Sequence, residues 1–274
     1  MGILKRLLFG LGVMLLATNI LGLFKSMRNP EIYQEEKTLR NRIADITLEY
    51  PQINDLLVRK EGESNKDFAI RINKVVNDGF SHYWKEEGIS RYNLRVPVWE
   101  NYLLFAAAYL QPDSYRKYEF SDYRKNLERG VGLCSSHSIV VKGILNDNGM
   151  AASLWDIADN MVVRAAVDED EAIILDPDFG VVVPFDIAAI EGNPELVRPF
   201  YKDMANLYYP DAKEPYTTDH VVEIYGKEGN HTYTVDNWFE HFSYYAIWIL
   251  PLLFTMPYAV VLFRVKDRFE TLLT

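Results

Sequence analysis

The chain has 274 residues, of which 49% are hydrophobic and 25% charged, with a formal net charge of −10. That apolar content excludes a disordered or fibrous chain, and an acidic balance without clustered Lys and Arg excludes an ordinary nucleic-acid binder. The single cysteine excludes an intrachain disulfide and a Cys-rich metal site, and with no Gly-rich phosphate loop in the chain, a nucleotide or other cofactor has no support.

In chain order, the uncharged run from Leu7 to Phe24 comes first. At helical rise it reaches roughly 27 Å, close to the hydrocarbon thickness of a bilayer. A cleaved leader is the rival reading, but Ala17-Thr18-Asn19 makes a poor cleavage site, so residues 1–28 are expected to be a retained anchor. Glu31 to Leu48 has the spacing of an amphipathic helix, interrupted by Pro51. Ser64 and Asp67 make a capping-box start for a helix to about Trp84, and Pro97 opens a third helix through Leu110. A fourth runs from about Leu133 to Asn148, stopped by Gly149.

The pattern then changes to β. Ala152 to Ile157, Met161 to Val167, Ala172 to Leu175 and Gly180 to Val183 read as strands, with the acidic turn Asp168 to Glu171 closing a hairpin. Pro194 to Leu207 reads as helical, and His220 to Tyr225 with His231 to Val235 as a second hairpin. Helices first and antiparallel strands later predict an α+β fold for residues 29–241. The uncharged run Phe242 to Phe263 spans about 33 Å as a helix, enough to cross a bilayer despite Pro251 and Pro257. Arg264, Lys266 and Arg268 follow it, which places the tail of residues 242–274 in the cytoplasm. Two membrane helices then put the intervening domain outside the cytoplasm, with the lipid bilayer as a partner.

Cys134 stands at the start of its helix behind Gly130-Val131-Gly132. Unpaired amides and the positive helix end there favour a thiolate, and the glycines leave room for a substrate carbonyl. A working thiolate also needs a base and a group that orients the base. Gly132-Leu133-Cys134-Ser135-Ser136-His137, the helix to Gly149, and Leu175-Asp176-Pro177-Asp178-Phe179-Gly180 together resemble the transglutaminase-like superfamily. The resemblance covers about residues 125 to 185 and implies a papain-like core with a Cys at a helix start, a His opening a strand and an Asp on the next. The whole layout is similar to bacterial membrane-anchored members of that group. It implies a role in envelope or exopolysaccharide assembly, with a peptide, a polysaccharide or an envelope protein as partner.

By register Asn160 takes the histidine position, with Asp176 as the acid. Asparagine orients groups by hydrogen bonds but takes no proton from a thiol at neutral pH. The set Cys134, Asn160 and Asp176 therefore reads as an impaired or binding centre. The alternative is an active acyl-transfer enzyme, a peptidase, amidase or transglutaminase, that recruits His137, three residues after the cysteine, or His220, which opens a strand-like run to Tyr225 and has Asp236 sixteen residues on. His82, beside Tyr83 and Trp84, reads as a helix-surface or core residue. No metal set is expected, because the histidines are not paired at helical or strand spacing. The aromatic excess, including Tyr115, Tyr118, Tyr201, Tyr208 and Tyr209, either lines a ligand groove or packs helices.

Overall fold

A computed structural model describes residues 2–33, 46–83, 86–158, 160–202, 217–227, 231–235 and 237–273, with backbone alone at 87, 231 and 259–273. In chain order the main elements are α1 (Ile3–Gly22), α2 (Tyr50–Leu56), α3 (Asn65–Gly79), β1 (Ser81–His82), α4 (Tyr102–Leu110), α5 (Pro112–Tyr115), α6 (Tyr123–Arg129), β2 (Val131–Gly132) and α7 (Cys134–Asp147). They are followed by β3 (Ala152–Ile157), β4 (Asn160–Ala166), β5 (Ala172–Asp176), β6 (Val181–Val183), α8 (Ile187–Gly192), α9 (Arg198–Tyr201), α10 (Thr218–Gly226), β7 (His231–Tyr233) and α11 (Trp238–Leu273). Helix and antiparallel sheet together make an α+β protein.

The chain divides into two compact units. The larger comprises Met27–Leu94 and Glu119–Asp236. Its five-stranded sheet has the order β6-β5-β4-β3-β7, antiparallel throughout. The hairpin predicted around the acidic turn forms, closed by Val167 N–H to Glu171 O at 2.8 Å. One sheet face (Val163, Ala165, Ile173, Leu175) packs on Phe68, Ile72 and Val76 of α3 and Val140 and Ile144 of α7. The other face (Val162, Ile174, Val183) packs on Ile190 of α8, Tyr201 of α9 and Ile224 and Tyr225 of α10. Covered on both faces, these strands read as continuous apolar runs rather than alternating ones. Of the helices in the first layer, α3 starts and α7 stops on a local signal. Ser64 Oγ accepts the Asp67 amide at 3.1 Å to open α3. Gly149, at φ +76°, ends α7, and the Met150 amide reaches back to Leu145 O at 3.0 Å.

The smaller unit gathers α1, the segment Arg95–Tyr118 and the chain from Asn237 on. The residues 95–118 thus group with the terminal helices, where the sequence placed them in the intervening domain. Within this unit Asn101 Nδ2 donates to Ser243 Oγ at 2.8 Å, and Tyr118 OH donates to Glu240 Oε2 at 2.8 Å. Among the described residues, α1 is the one helix long and apolar enough to cross a membrane, by length and composition. The stretch 242–263 lies within the 36-residue α11, which carries Pro251 and Pro257 inside it.

Several expectations change. His220 to Tyr225 is not a strand but lies in α10: Thr217 Oγ1 accepts the His220 amide at 3.1 Å, and Val221, Ile224 and Tyr225 form a buried stripe at helical spacing. The helix expected to reach Trp84 stops at Gly79, because residues 81–82 pair in parallel with Val131–Gly132. The third helix opens at Tyr102 rather than at Pro97, since Asn101 Oδ1 accepts the amides of Leu103 and Leu104. The helix expected over 31–48 begins with a single tight turn, Pro30–Tyr33, and residues 34–45 lie outside the described set. Of the helix expected from Pro194 to Leu207, two short turns are seen to Tyr201, and 203–216 lie outside the described set.

Candidate functional site

Cys134 opens α7, as the sequence predicted, yet its surroundings oppose ionisation. Burial acts first and the Asp178 carboxylate second, with Glu119 and Asp176 adding to them, and together they push the thiol up to about 12 against one favourable contact from the Met161 amide. These surroundings oppose the thiolate that the helix end favours. A carboxylate is also held at the start of α7: Ser136 Oγ donates to Glu119 Oε1 at 2.7 Å, and Ser135 Oγ donates to the same oxygen. The glycine reading changes too. A Cβ on Gly132 would lie 2.4 Å from Ser136 Cβ, so this glycine admits the helix's own side chain rather than a substrate.

Asn160 and Asp176 are joined directly, Asn160 Nδ2 donating to Asp176 Oδ2 at 2.8 Å. The register that pairs Val163 with Leu175 puts the two on one sheet face at diagonal reach. Both are buried, at 5% and 0% exposure. Tyr201 OH donates to the same Oδ2 at 2.7 Å and lies 2.9 Å from Tyr225 OH, and the Phe179 amide donates to Asp176 Oδ1 at 3.2 Å. Burial, then the Asp178 charge, holds the Asp176 carboxyl up at about 6 despite these donors. By pleat, Asn160 and Asp176 share the tyrosine-lined face with Val162 and Ile174, whereas Met161 and Leu175 face α7. The link to the cysteine is one amide: Met161 N–H donates to Asn160 Oδ1 at 2.8 Å and also contacts the Cys134 sulfur. Ser138 Oγ, donating to Met161 O at 2.7 Å, docks α7 on this strand start.

The two substitute bases do not assemble with the thiol in the expected way. His137 is fully buried; its Nδ1 lies 2.9 Å from Leu133 O, and its Nε2 lies 3.3 Å from Phe80 O and 3.7 Å from Asp178 Oδ1. His220 sits in the first turn of α10, on the element that covers the opposite sheet face.

Sequence reasoning missed His82 and Asp178. His82 belongs to a strand, not a helix, and its Nδ1 lies 2.8 and 2.9 Å from the two Asp178 oxygens. The expectation that no histidines cluster is corrected here as well. One ligand atom each from His82, His137 and Asp178 lies within 4.8 Å of the others, all three residues buried, so this trio is able to hold a metal ion. Spacing along the chain carried no signal, because His82 and Asp178 are 96 residues apart. Two short cues were present: the β-like run after Gly79, and the second acid of Asp176-Pro177-Asp178. Of the tyrosines weighed for a ligand groove, Tyr118 and Tyr201 are buried structural donors, and Tyr208 and Tyr209 lie outside the described residues.

No family model matches this chain, and no curated protein or solved structure matches it.

Proposed function

We propose that this chain is a membrane-anchored, transglutaminase-like protein with a papain-like core, whose Cys134, Asn160 and Asp176 bind a ligand rather than turn it over. Its place is envelope or exopolysaccharide assembly, with a peptide, a polysaccharide or an envelope protein as partner. Two helices, α1 and the apolar part of α11, hold the larger unit outside the cytoplasm.

The observation that carries this reading is the 2.8 Å hydrogen bond from Asn160 to Asp176. It reproduces the orienting bond of a base–acid pair with an amide that accepts no proton at neutral pH. The second support is the thiol itself, held up at about 12 and so protonated across the physiological range. A nucleophile left without base or thiolate forfeits about 10²- to 10⁴-fold in rate from proton transfer alone.

The test is the rate of Cys134 alkylation against pH, in wild type and Asn160→His. At pH 8 the wild type is expected to react about a thousandfold more slowly than an ordinary cysteine, which is partly ionised there. Asn160→His is expected to raise the rate near neutrality. A wild-type plateau well below pH 8.5, or amide hydrolysis lost in Cys134→Ala, would overturn the reading.

A further inference from the structure

The His82, His137 and Asp178 trio shares no residue with the thiol centre proposed above, although the Asp178 charge reaches both Cys134 and Asp176; it is gathered from three separate elements: β1, α7 and the turn after β5. Its hydrogen-bond pattern contains a conflict. His137 presents Nδ1 to a carbonyl oxygen at 2.9 Å and Nε2 to a carbonyl at 3.3 Å and a carboxylate at 3.7 Å. A neutral imidazole carries one N–H, so one nitrogen would turn a lone pair onto oxygen. With Nδ1–H donated to Leu133 O, Nε2 presents a lone pair beside the Phe80 carbonyl and the Asp178 carboxylate, and a cation there removes the conflict. A backbone carbonyl holding one ring nitrogen is also how proteins fix the tautomer of a metal-binding histidine.

We propose that His82, His137 and Asp178 bind one divalent transition-metal ion of the zinc class. Two imidazoles and one carboxylate suit such an ion, whereas magnesium and calcium favour all-oxygen sites. Donors about 2.1 Å from a common ion at the tetrahedral angle lie about 3.4 Å apart. The 3.7 Å separation of His137 Nε2 from Asp178 Oδ1 is close to that. The 2.8 Å contact of His82 Nδ1 with Asp178 opens by about half an ångström once the shared proton leaves. The ring of Phe80, 4.3 Å from that of His137, packs an apolar wall beside the site.

The test uses the full-length chain, purified in detergent, stripped with a chelator and titrated with Co²⁺ and separately with Zn²⁺. One Co²⁺ per chain, with the visible absorption of a four- or five-coordinate ion and displacement by Zn²⁺, is the expected result. Asp178→Asn and His82→Ala each weaken Co²⁺ binding by at least about 100-fold, the upper range seen for loss of an outer-shell partner alone. His220→Ala, far along the chain on α10, leaves binding unchanged. A wild-type titration with neither a visible band nor a rise in Tm on Zn²⁺ overturns the proposal, whether or not the variants fold. Binding that persists in Asp178→Asn, or disappears in His220→Ala, overturns it as well. Cys134 alkylation measured on the chelator-stripped chain keeps failure of the thiol reading distinct from failure of the metal site.

Discussion

Asp176 is the residue on which the buried polar network turns, since Asn160, Tyr201 and the Phe179 amide all donate to it. Tyr201 is the donor whose loss is cleanest to read. Tyr201→Phe keeps the ring against Phe179 and Tyr225 but removes one bond to a fully buried carboxyl. Hydrogen bonds to charged groups contribute about 1.5–3 kcal/mol, so chemical denaturation is expected to show a loss of that order. Tyr225→Phe, one step further from the carboxyl, is expected to cost less, and equal losses would place the two hydroxyls in one network with no hierarchy. The Cys134, Asn160 and Asp176 positions were legible from punctuation: a helix start, a strand start and an Asp-Pro turn. Tyr201 was not, because a tyrosine reaching a strand 25 residues earlier leaves no periodic trace. The charges around the thiol were illegible for a similar reason. The helix end is a local feature, while the carboxylates opposing it come from Glu119, Asp176 and Asp178 across the fold.

Elements were read correctly where period and cap agreed, as at the start of α3, in α7 and in the β4–β5 hairpin, and misread where β-branched residues hid a helical stripe. The run His220-Val221-Val222 has strand-like composition, but packing of Val221, Ile224 and Tyr225 on the sheet overrides it. Two predictions belong at this scale. Arg164 on β4 makes paired contacts to Asp186, 2.6 Å each, and Asp186 also accepts the Ile187 amide at 2.7 Å, so one carboxylate ties α8 to the sheet. The Arg164 guanidinium holds the Asp186 carboxyl below its usual range, an effect opposed by partial burial. A lowered folded value means stability that is fully present above the ordinary carboxylate pKa and lost as pH falls through the folded one. Asp186→Asn is therefore expected to flatten the acid limb of the Tm–pH curve below about pH 4, while costing about 1 kcal/mol at neutrality given solvent screening. An unchanged acid limb would show that the pair does not anchor α8.

The second concerns α11. Pro251 has no N–H, so the carbonyl four residues earlier, Ile247 O, loses its helical donor. Asn19 Nδ2 fills that vacancy at 2.5 Å and Tyr102 OH at 3.1 Å, which explains a buried asparagine in the mostly apolar α1. Asn19→Leu leaves only the tyrosine, and Tyr102→Phe leaves only the asparagine. Each is expected to cost about 1 kcal/mol in detergent-phase thermal unfolding, and the double variant clearly more than the sum, since it orphans the carbonyl. Additive losses would mean that water or another group already serves Ile247 O.

For the whole molecule, the interleaving of the two units was the least legible feature. The segment Arg95–Tyr118 joins the terminal helices through polar pairs 122 to 145 residues apart, such as Tyr118 to Glu240 and Tyr102 to Ile247, and nothing in local pattern reports a partner at that distance. The membrane arrangement is open to a direct measurement. If α1 alone anchored the chain, removing residues 1–26 would release it on alkaline extraction. With the apolar run of 242–263 also inserted, the truncated chain is expected to remain in the membrane fraction, because about 20 apolar residues suffice for stable insertion. If the basic residues after that run hold the tail in the cytoplasm, a single cysteine placed at Thr274 in a Cys134→Ser background is expected to react with a membrane-impermeant reagent only after the cells are opened. A cysteine placed at Glu169, in the exposed turn between β4 and β5, is expected to react from the outside. Labelling of both positions on the same side would reduce the anchor to one span or turn α11 into a helix of the protein's own interior, and the extracytoplasmic assignment of the thiol centre would fall with it.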